Sequence, residues 1–319
     1  TPLLVLVVGE TARAANFSLG GYARKTNPEL EKLAAEGTAL TYYSAVRSCG
    51  TNTQVSLPCM FSHLGKEEFG ATRQPYENLL DVLHRAGLAV LWIDNQSGCK
   101  GLCDRVAQFN TFGLKTPGLC NADECFDEIL LADLDQRIAA LDPARRARGV
   151  VLVLHQMGSH GPAYFKRVPP AFKAFLPECG SNVLQDCQRA QVVNAYDNTL
   201  VYTDHVLASL VRWLAGQAAQ GAHDSALVYV SDHGESLGEN NLYLHGLPYA
   251  IAPDTQTHVP MLSWVSPAMA QRLNLRPDCL RAHAGAALSH DNLFHAMLGL
   301  ADVQTEVYRK DMDWFAACR

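Results

Sequence analysis

A carboxylate and an imidazole stand where a buried run of the sequence breaks off. Asp232 and His233 follow an apolar, β-rich stretch at 226–230, and Gly234, which tolerates backbone angles that other residues avoid, comes next. Carboxylate and imidazole side chains are both common metal ligands. In open α/β sheets the carboxyl ends of the strands form the ligand-binding edge, and the following loop can return His245 to it. An Asp-His pair alone is more often a capped turn, so a metal site needs ligands from other segments.

The first buried run supplies another candidate ligand. Residues 3–8 are continuously apolar, which is typical of a strand buried on both faces, and they bring Glu10 to the same edge. A carboxylate in that place can instead cap the following helix.

A nucleophile is expected in the segment 48–59, which is rich in hydroxyl groups. Small residues around Gly50 suit a tight turn into a helix, whose free N–H groups and positive end favour an anion such as phosphate. Thr51, Thr53 and Ser56 compete for the role, and all three can equally be cap or turn residues. Spacing alone does not choose among them.

Two further loops place polar side chains at the ends of predicted strands. Gln96 and Lys100 follow the run 88–93, and Lys100 lies where it could meet a phosphate. His155 and His160 follow the run 150–154, and we expect one of them to be structural. The aromatic and basic segment 164–173 is a candidate contact for an anionic lipid headgroup.

The elements that must position these groups alternate between strands and helices. Beyond the strands already named, strands are predicted at 38–46 and 258–265, and helices at 77–86, 124–141, 189–214 and 289–300, with another beginning at 26–29. This alternation predicts an α/β fold with a mainly parallel sheet and helices on both faces. We expect residues 1–319 to form one catalytic domain.

Composition excludes several classes of protein. The chain has 319 residues, 48% hydrophobic and 18% charged, with a net charge of −6, which argues against a general nucleic-acid binder. Its longest apolar runs are far shorter than the ~20 residues that span a bilayer. The sequence begins at Thr1 with strand-like residues and no signal pattern, so we expect a domain excised from a longer protein.

Ten cysteines, mostly in close couples, predict five disulfides and an oxidising compartment. None of the couples has the Cys-x2-Cys repeat of a structural zinc site. Short loop lengths favour nearest-neighbour pairing, and the last pair is assigned by elimination: Cys49–Cys59, Cys99–Cys103, Cys120–Cys125, Cys179–Cys187 and Cys279–Cys318.

Four motifs together carry a family resemblance. They are Val-Gly-Glu-Thr at 8–11, Ser-Cys-Gly-Thr-Asn-Thr at 48–53, His-Gln-Met-Gly-Ser-His-Gly-Pro at 155–162 and Ser-Asp-His-Gly-Glu-Ser-Leu-Gly-Glu at 231–239. In this order they resemble the lipid A phosphoethanolamine transferases, including those that confer polymyxin resistance. The resemblance implies the α/β/α sandwich of the alkaline phosphatase and sulfatase superfamily.

The resemblance also implies roles for single residues. Thr53 becomes the nucleophile, and Thr51 and Ser56 become turn residues. His160 and His245 hold the transferred phosphoryl group, a second zinc or the proton for the leaving group, while Gln96 and Lys100 contact the headgroup and phosphate. Some relatives have asparagine at the Gln96 position, which leaves its exact contact open. The implied zinc ligands are Glu10, Thr53, Asp232 and His233.

The implied reaction transfers phosphoethanolamine from phosphatidylethanolamine to a lipid A phosphate. The resemblance also implies a periplasmic catalytic domain, held at the inner membrane of a Gram-negative bacterium by an N-terminal membrane domain. Alternatives are transfer to another envelope glycan, a phosphoglycerol transferase or phosphatase of the same fold, or an inactive zinc- or lipid-binding domain. A formylglycine sulfatase would need Cys-x-Pro-x-Arg, which no cysteine here begins.

Overall fold

The computed structural model describes residues 1–319, and an eight-stranded sheet dominates it. The strands are β1 (Pro2–Gly9), β2 (Leu40–Arg47), β3 (Ala89–Asp94), β4 (Ala107–Asn110), β5 (Val150–His155), β6 (Asp224–Ser231), β7 (Ser236–Leu237), β8 (Tyr243–Leu244), β9 (His258–Val265) and β10 (Leu288–Ser289). The order in the sheet is β10-β2-β9-β6-β1-β5-β3-β4, and β7 pairs with β8 separately. Only β9 runs antiparallel to its neighbours in the large sheet, so the predicted mainly parallel sheet is confirmed.

Helices cover both faces of the sheet. They are α1 (Pro28–Ala35), α2 (Thr53–Met60), α3 (Lys66–Ala71), α4 (Leu79–Arg85), α5 (Leu134–Ala139), α6 (Pro143–Arg146), α7 (Arg189–Ala219), α8 (Asp254–Thr257), α9 (Pro267–Leu273), α10 (Pro277–Ala282) and α11 (Leu293–Leu300). None of them is both long and apolar enough to cross a bilayer.

The central strand β1 shows why the sheet holds two helical layers. Its alternate side chains point to opposite faces. Leu3, Val5 and Val7 join one buried cluster of 36 residues with α1, α5 and α7. Leu4, Leu6 and Val8 join a second cluster of 36 with α2, α4 and α11. The continuous apolar run therefore serves two cores at once, and the expected α/β/α sandwich is confirmed.

The helix predicted at 124–141 is wrong in its extent. A 3-10 helix covers Asp127–Leu131, and α5 begins only at Leu134. Between them Asp133 takes a left-handed backbone conformation with φ of 59°, which ends the first helix and restarts the chain in a new direction. The predicted final helix likewise divides into a 3-10 turn, His290–Asn292, and α11.

All five predicted disulfides are present, and no cysteine is free. The four short ones brace segments that follow the carboxyl ends of β2, β3, β4 and β5. Cys279–Cys318 ties α10 to the C-terminus.

Candidate metal centre and nucleophile

Two adjacent parallel strands bring the acidic residues together. Gly9 of β1 pairs in register with Ser231 of β6, so Glu10 and Asp232, the next residue on each strand, emerge side by side. His233 follows, and all three side chains are fully or almost fully buried. One ligand atom from each lies within 4.8 Å of the others. Three donors from distant parts of the sequence thus meet at one point.

Thr53 completes the cluster from a third segment. It is the first residue of α2, whose cap residue Asn52 accepts a hydrogen bond from the Val55 N–H at 2.9 Å. The Thr53 Oγ1 lies 2.9 Å from Glu10 Oε2 and 2.5 Å from Asp232 Oδ2.

The two rival hydroxyls are engaged elsewhere. The Thr51 hydroxyl donates to the Leu247 carbonyl at 2.6 Å. Ser56 Oγ accepts from the Gly50 N–H at 2.9 Å, so it closes the turn before α2. Of the three candidates, Thr53 is the one whose hydroxyl reaches the carboxylates.

The two buried carboxylates of the cluster favour a positively charged group beside them. His233 Nδ1–H donates to the Gly234 carbonyl at 2.7 Å, which turns Nε2 towards Glu10 Oε1 at 3.2 Å and Asp232 Oδ1 at 3.5 Å. Burial alone would lower the pKa of His233, but the two carboxylates outweigh it and raise that pKa to about 10. Burial and the neighbouring Glu10 charge raise the pKa of Asp232, whereas His233 overcomes the effect of burial and lowers that of Glu10.

This donor set fits a divalent cation. Carboxylate oxygens and an imidazole nitrogen are ligands that zinc takes in proteins, and the Thr53 hydroxyl oxygen would be a further ligand. The two other clusters of potential ligands, at Cys279, His283 and Cys318 and at Cys99, Cys103 and Asp104, rely on cysteines whose sulfurs are in disulfides. The fit is therefore specific to the cluster of Glu10, Asp232 and His233.

Two glycines allow the backbone to approach this closely. A Cβ on Gly234 would lie 1.9 Å from the Thr255 carbonyl oxygen. Gly158 has a φ of +55°, and a Cβ there would lie 2.7 Å from the Glu10 carbonyl oxygen. A larger residue at Gly158 would push against the Glu10 backbone, and one at Gly234 would push the segment after His233 away from Thr255.

The predicted headgroup contacts divide into an inner and an outer residue. Gln96 Nε2 donates to Glu10 Oε2 at 3.1 Å, so its amide lies against the cluster. The Lys100 ammonium contacts Ser97 Oγ at 3.3 Å and none of the candidate ligands, so it stays on the same loop but farther out.

Both predicted outer histidines border the cluster. The loop after β6 returns His245 so that its ring centroid lies 4.1 Å from that of His233. Burial lowers the pKa of His160, while the nearby Glu10 charge acts in the opposite direction. His155, by contrast, is wholly buried and donates from Nδ1 to Asp94 Oδ2 at 2.9 Å.

Sequence reasoning missed three supporting residues. Glu235 is fully buried, accepts from His245 Nδ1 at 2.7 Å and from the Tyr164 hydroxyl at 2.5 Å, and its place in the Asp-His-Gly-Glu motif was an available signal. Thr11 has a φ of 62°, and both its donors reach the carboxylates: N–H to Asp232 Oδ1 and the hydroxyl to Glu10 Oε1. His290 joins the Cys49 N–H to the Ser231 carbonyl, with no local sequence signal.

The arrangement agrees with what the chain resembles. The family model described as Sulfatase matches residues 2–303. The chain belongs to the sulfatase family. It is 47% identical to phosphoethanolamine transferase EptA of Escherichia coli K12, over 99% of this chain and 56% of that protein. It is 42% identical to phosphatidylethanolamine transferase Mcr-1 of Escherichia coli, over 95% of this chain and 54% of that protein.

A solved structure extends the likeness to three dimensions. The soluble domain of lipooligosaccharide phosphoethanolamine transferase A from Neisseria meningitidis superimposes with a TM-score of 0.91 at 45% identity, covering 100% of this chain and 93% of that one. The chain covers 58% of the same protein solved as an integral membrane protein. It thus spans little more than half the length of the curated relatives it matches. The resemblance to phosphoethanolamine transferases and the fold it implied are confirmed.

Proposed function

We propose that residues 1–319 are the catalytic domain of a zinc-dependent enzyme that transfers phosphoethanolamine from phosphatidylethanolamine to a lipid A phosphate through a covalent Thr53 intermediate. The observation that carries the proposal is the Thr53 hydroxyl, which lies within hydrogen-bond distance of both Glu10 and Asp232 beside a buried histidine. A threonine that only capped a helix would have no need of two buried carboxylates.

The first step forms a bond from Thr53 Oγ1 to the phosphorus of phosphatidylethanolamine. The bond from phosphorus to the diacylglycerol oxygen breaks, and that oxygen takes a proton from His160 or His245 as diacylglycerol leaves. The hydroxyl proton of Thr53 has an acceptor in place, because it already points at Asp232 Oδ2. The N-terminal end of α2, where Thr53 is the first residue, would favour the negative charge of the phosphoryl group.

The second step restores the enzyme. An oxygen of a lipid A phosphate attacks the same phosphorus, the bond to Thr53 Oγ1 breaks, and Thr53 Oγ1 takes back the proton that Asp232 received. The proton of the attacking phosphate oxygen returns to the histidine that protonated diacylglycerol. His160 and His245, on the open side of the cluster, hold the phosphoryl oxygens or pass the proton, and Glu235 and Tyr164 orient His245. Gln96 and Lys100 would contact the headgroup and its phosphate.

Glu10, Thr53, Asp232 and His233 would hold zinc. When bound, zinc lowers the pKa of a hydroxyl and offsets negative charge on the phosphoryl group. A second zinc at His160 and His245 remains the alternative use of those histidines.

The relatives support the choice of donor, acceptor and place. One is called a phosphatidylethanolamine transferase, one a lipooligosaccharide phosphoethanolamine transferase, and the latter is also an integral membrane protein. We therefore propose a periplasmic domain held at the inner membrane by a preceding membrane domain, acting on lipid A and conferring polymyxin and colistin resistance. Transfer to another envelope glycan is the nearest rival.

Intact mass spectrometry after incubation with phosphatidylethanolamine tests the central step. We expect one phosphoethanolamine adduct on the zinc-loaded protein and, after peptide mapping, on Thr53. Thr53→Ala should form none, whereas Thr51→Ala, the matched control two residues away, should keep it. Thr53→Ser keeps a hydroxyl and should retain a serine-linked adduct.

Three results would contradict the proposal. An adduct on Thr51 or Ser56 in the wild-type protein would remove Thr53 from its role. Turnover of phosphatidylethanolamine with no adduct in the protein would replace double displacement by direct attack of water or acceptor. An equal adduct from phosphatidylglycerol would favour the phosphoglycerol transferase instead.

A further inference from the structure

Asp94 accepts four hydrogen bonds, two at each oxygen of its carboxylate. It is the last residue of β3 and is 3% exposed. Its Oδ2 accepts from Trp92 Nε1 and His155 Nδ1, each at 2.9 Å. Its Oδ1 accepts from the Gln96 N–H at 2.7 Å and the Gly98 N–H at 3.1 Å. One carboxylate oxygen therefore binds side chains within the sheet, and the other binds the backbone of the loop that follows β3.

The Oδ2 side fixes a histidine. Because an ionised carboxylate only accepts, the bond to Asp94 puts a proton on His155 Nδ1 and turns Nε2 inward. That Nε2 is buried and has no partner within the protein. His155 pairs in register with Val8, two residues before Glu10, and the imidazole is close enough to Glu10 for each charge to shift the pKa of the other.

The Oδ1 side fixes a loop. The bonds from Gln96 and Gly98 fold the chain back over the end of β3, and the Gln96 side chain reaches Glu10 Oε2 at 3.1 Å. The Cys99–Cys103 disulfide closes the same loop on its far side. Burial would raise the pKa of Asp94, but His155 and the other donors lower it to about 2, so the carboxylate stays ionised.

We propose that Asp94 is a positioning residue for the reaction at Thr53: one oxygen sets the tautomer of His155, and the other sets the loop that holds Gln96 against Glu10. It touches neither the nucleophile nor the candidate ligands, and it acts through these two side chains. Side chains hydrogen-bonded to a metal ligand, as Gln96 is to Glu10, typically change activity 10–100-fold when removed, and Asp94 holds the loop that carries Gln96.

Asp94→Asn tests the proposal with little change of shape. The amide has one acceptor oxygen and one donor nitrogen for four donors, so one of the two sides must lose its bonds. The same exchange behind a catalytic histidine of serine proteases produces the wrong tautomer while preserving the geometry. We expect kcat/KM for phosphoethanolamine transfer to fall about 10–100-fold.

The matched control is Ile93→Ala. Ile93 is the preceding residue, equally buried, but it faces the other core and makes none of these bonds. We expect this variant to lower the melting temperature at least as much as Asp94→Asn and to keep nearly wild-type kcat/KM. If activity in the two variants instead falls in proportion to lost stability, Asp94 is only structural.

A second measurement locates the proton on His155 and does not need transfer activity. The inference rests on the proposed function only where it predicts a change in kcat/KM. Long-range ¹H–¹⁵N spectra of histidine-labelled wild-type protein should show His155 protonated at Nδ1, assigned with His155→Gln, and Asp94→Asn should change that signal. Wild-type His155 protonated at Nε2 alone would overturn the positioning role, even if Asp94→Asn did not fold. The expected signal in a protein that forms no phosphoethanolamine adduct would sink the proposed reaction, while the finding that Asp94 sets the proton position on His155 would stand.

Discussion

The two edges of the large sheet are built differently. At the amino ends of the parallel strands the chain turns quickly: residues 36–39 precede β2, 86–88 precede β3, 147–149 precede β5 and 220–223 precede β6. At the carboxyl ends the connections are long, and residues 10–27, 156–188 and 232–253 contain no α-helix. All the candidate ligands, the proposed nucleophile and the four short disulfides lie on or near this second edge.

The comparison shows that backbone strain and buried charge are concentrated at the carboxyl edge of the sheet. Thr11, a β-branched residue, holds a left-handed backbone conformation, which costs roughly 1–3 kcal/mol, and its two donors serve the buried carboxylates. Unpaired buried charge is costlier still, so each carboxylate at this edge has several partners. The sheet centre contains almost none of this and is filled with apolar side chains. We therefore expect changes at the carboxyl edge to affect chemistry and changes at the centre to affect stability.

His233→Ala should give the largest effect and sharpen this contrast. Removing the only imidazole among the four candidate ligands leaves two buried carboxylates without their counter-charge or their cation. We expect zinc, measured by elemental analysis, to be lost and transfer to fall by more than about 100-fold. His258→Ala, on the same edge but bonded to the Ser44 carbonyl, should keep both. Full zinc occupancy in His233→Ala would show that the ligand assignment is wrong.

Leu227→Ala should have the opposite profile. Leu227 lies at the centre of β6 with no exposure and packs in the cluster beneath α7. The lost apolar burial and the cavity together should reduce the free energy of unfolding by roughly 2–5 kcal/mol, measured by denaturant titration. Below its melting temperature the folded protein should keep its kcat. A large fall in kcat with the fold intact would break the proposed division between centre and edge.

The same division explains what could be predicted from sequence. The centre follows from burial alone: continuous apolar runs such as 3–8 gave the strands, since a parallel strand covered on both faces must be apolar throughout. The cysteine couples gave the disulfides because short loops favour neighbouring partners. At the edge, the four motifs predicted which residues would gather, and the structure brings Glu10, Thr53, Asp232 and His233 together.

What the sequence left open depends on contacts between distant segments. Asp94 directly follows the predicted strand 88–93 with no further signal, and only the fold shows that it reaches His155 on the neighbouring strand β5. The break at Asp133 could not be read from helical periodicity, because a single left-handed residue redirects the chain. His290 stands 59 residues from Ser231 and 241 from Cys49, so no local pattern could connect them.

His290 also provides the smallest test, because it is an edge residue whose role is structural. Nδ1 accepts from the Cys49 N–H at 2.8 Å, and Nε2–H donates to the Ser231 carbonyl at 2.9 Å, so the ring must be neutral. Burial lowers its pKa to about 4, against about 6.5 in the unfolded chain. At pH values between these two pKa values, His290 is protonated in the unfolded state and neutral in the folded state. The contribution is therefore complete above about pH 6.5 and lost progressively as the pH falls towards 4.

For this one group the loss between pH 7 and pH 5 should be about 2 kcal/mol of unfolding free energy. His290→Asn removes the titrating ring, so its unfolding free energy should be lower at pH 7 but fall less on going to pH 5 than that of the wild-type protein. Denaturant titrations of both proteins at the two pH values measure this difference, and the other buried histidines cancel because both proteins contain them. Equal falls in the two proteins would mean that His290 already takes up its proton in the folded state. The hydrogen bonds by which His290 links the turn before α2 to the end of β6 would then not require a neutral ring. The carboxyl edge would then hold a charged imidazole at a place where the hydrogen bonds indicate a neutral one.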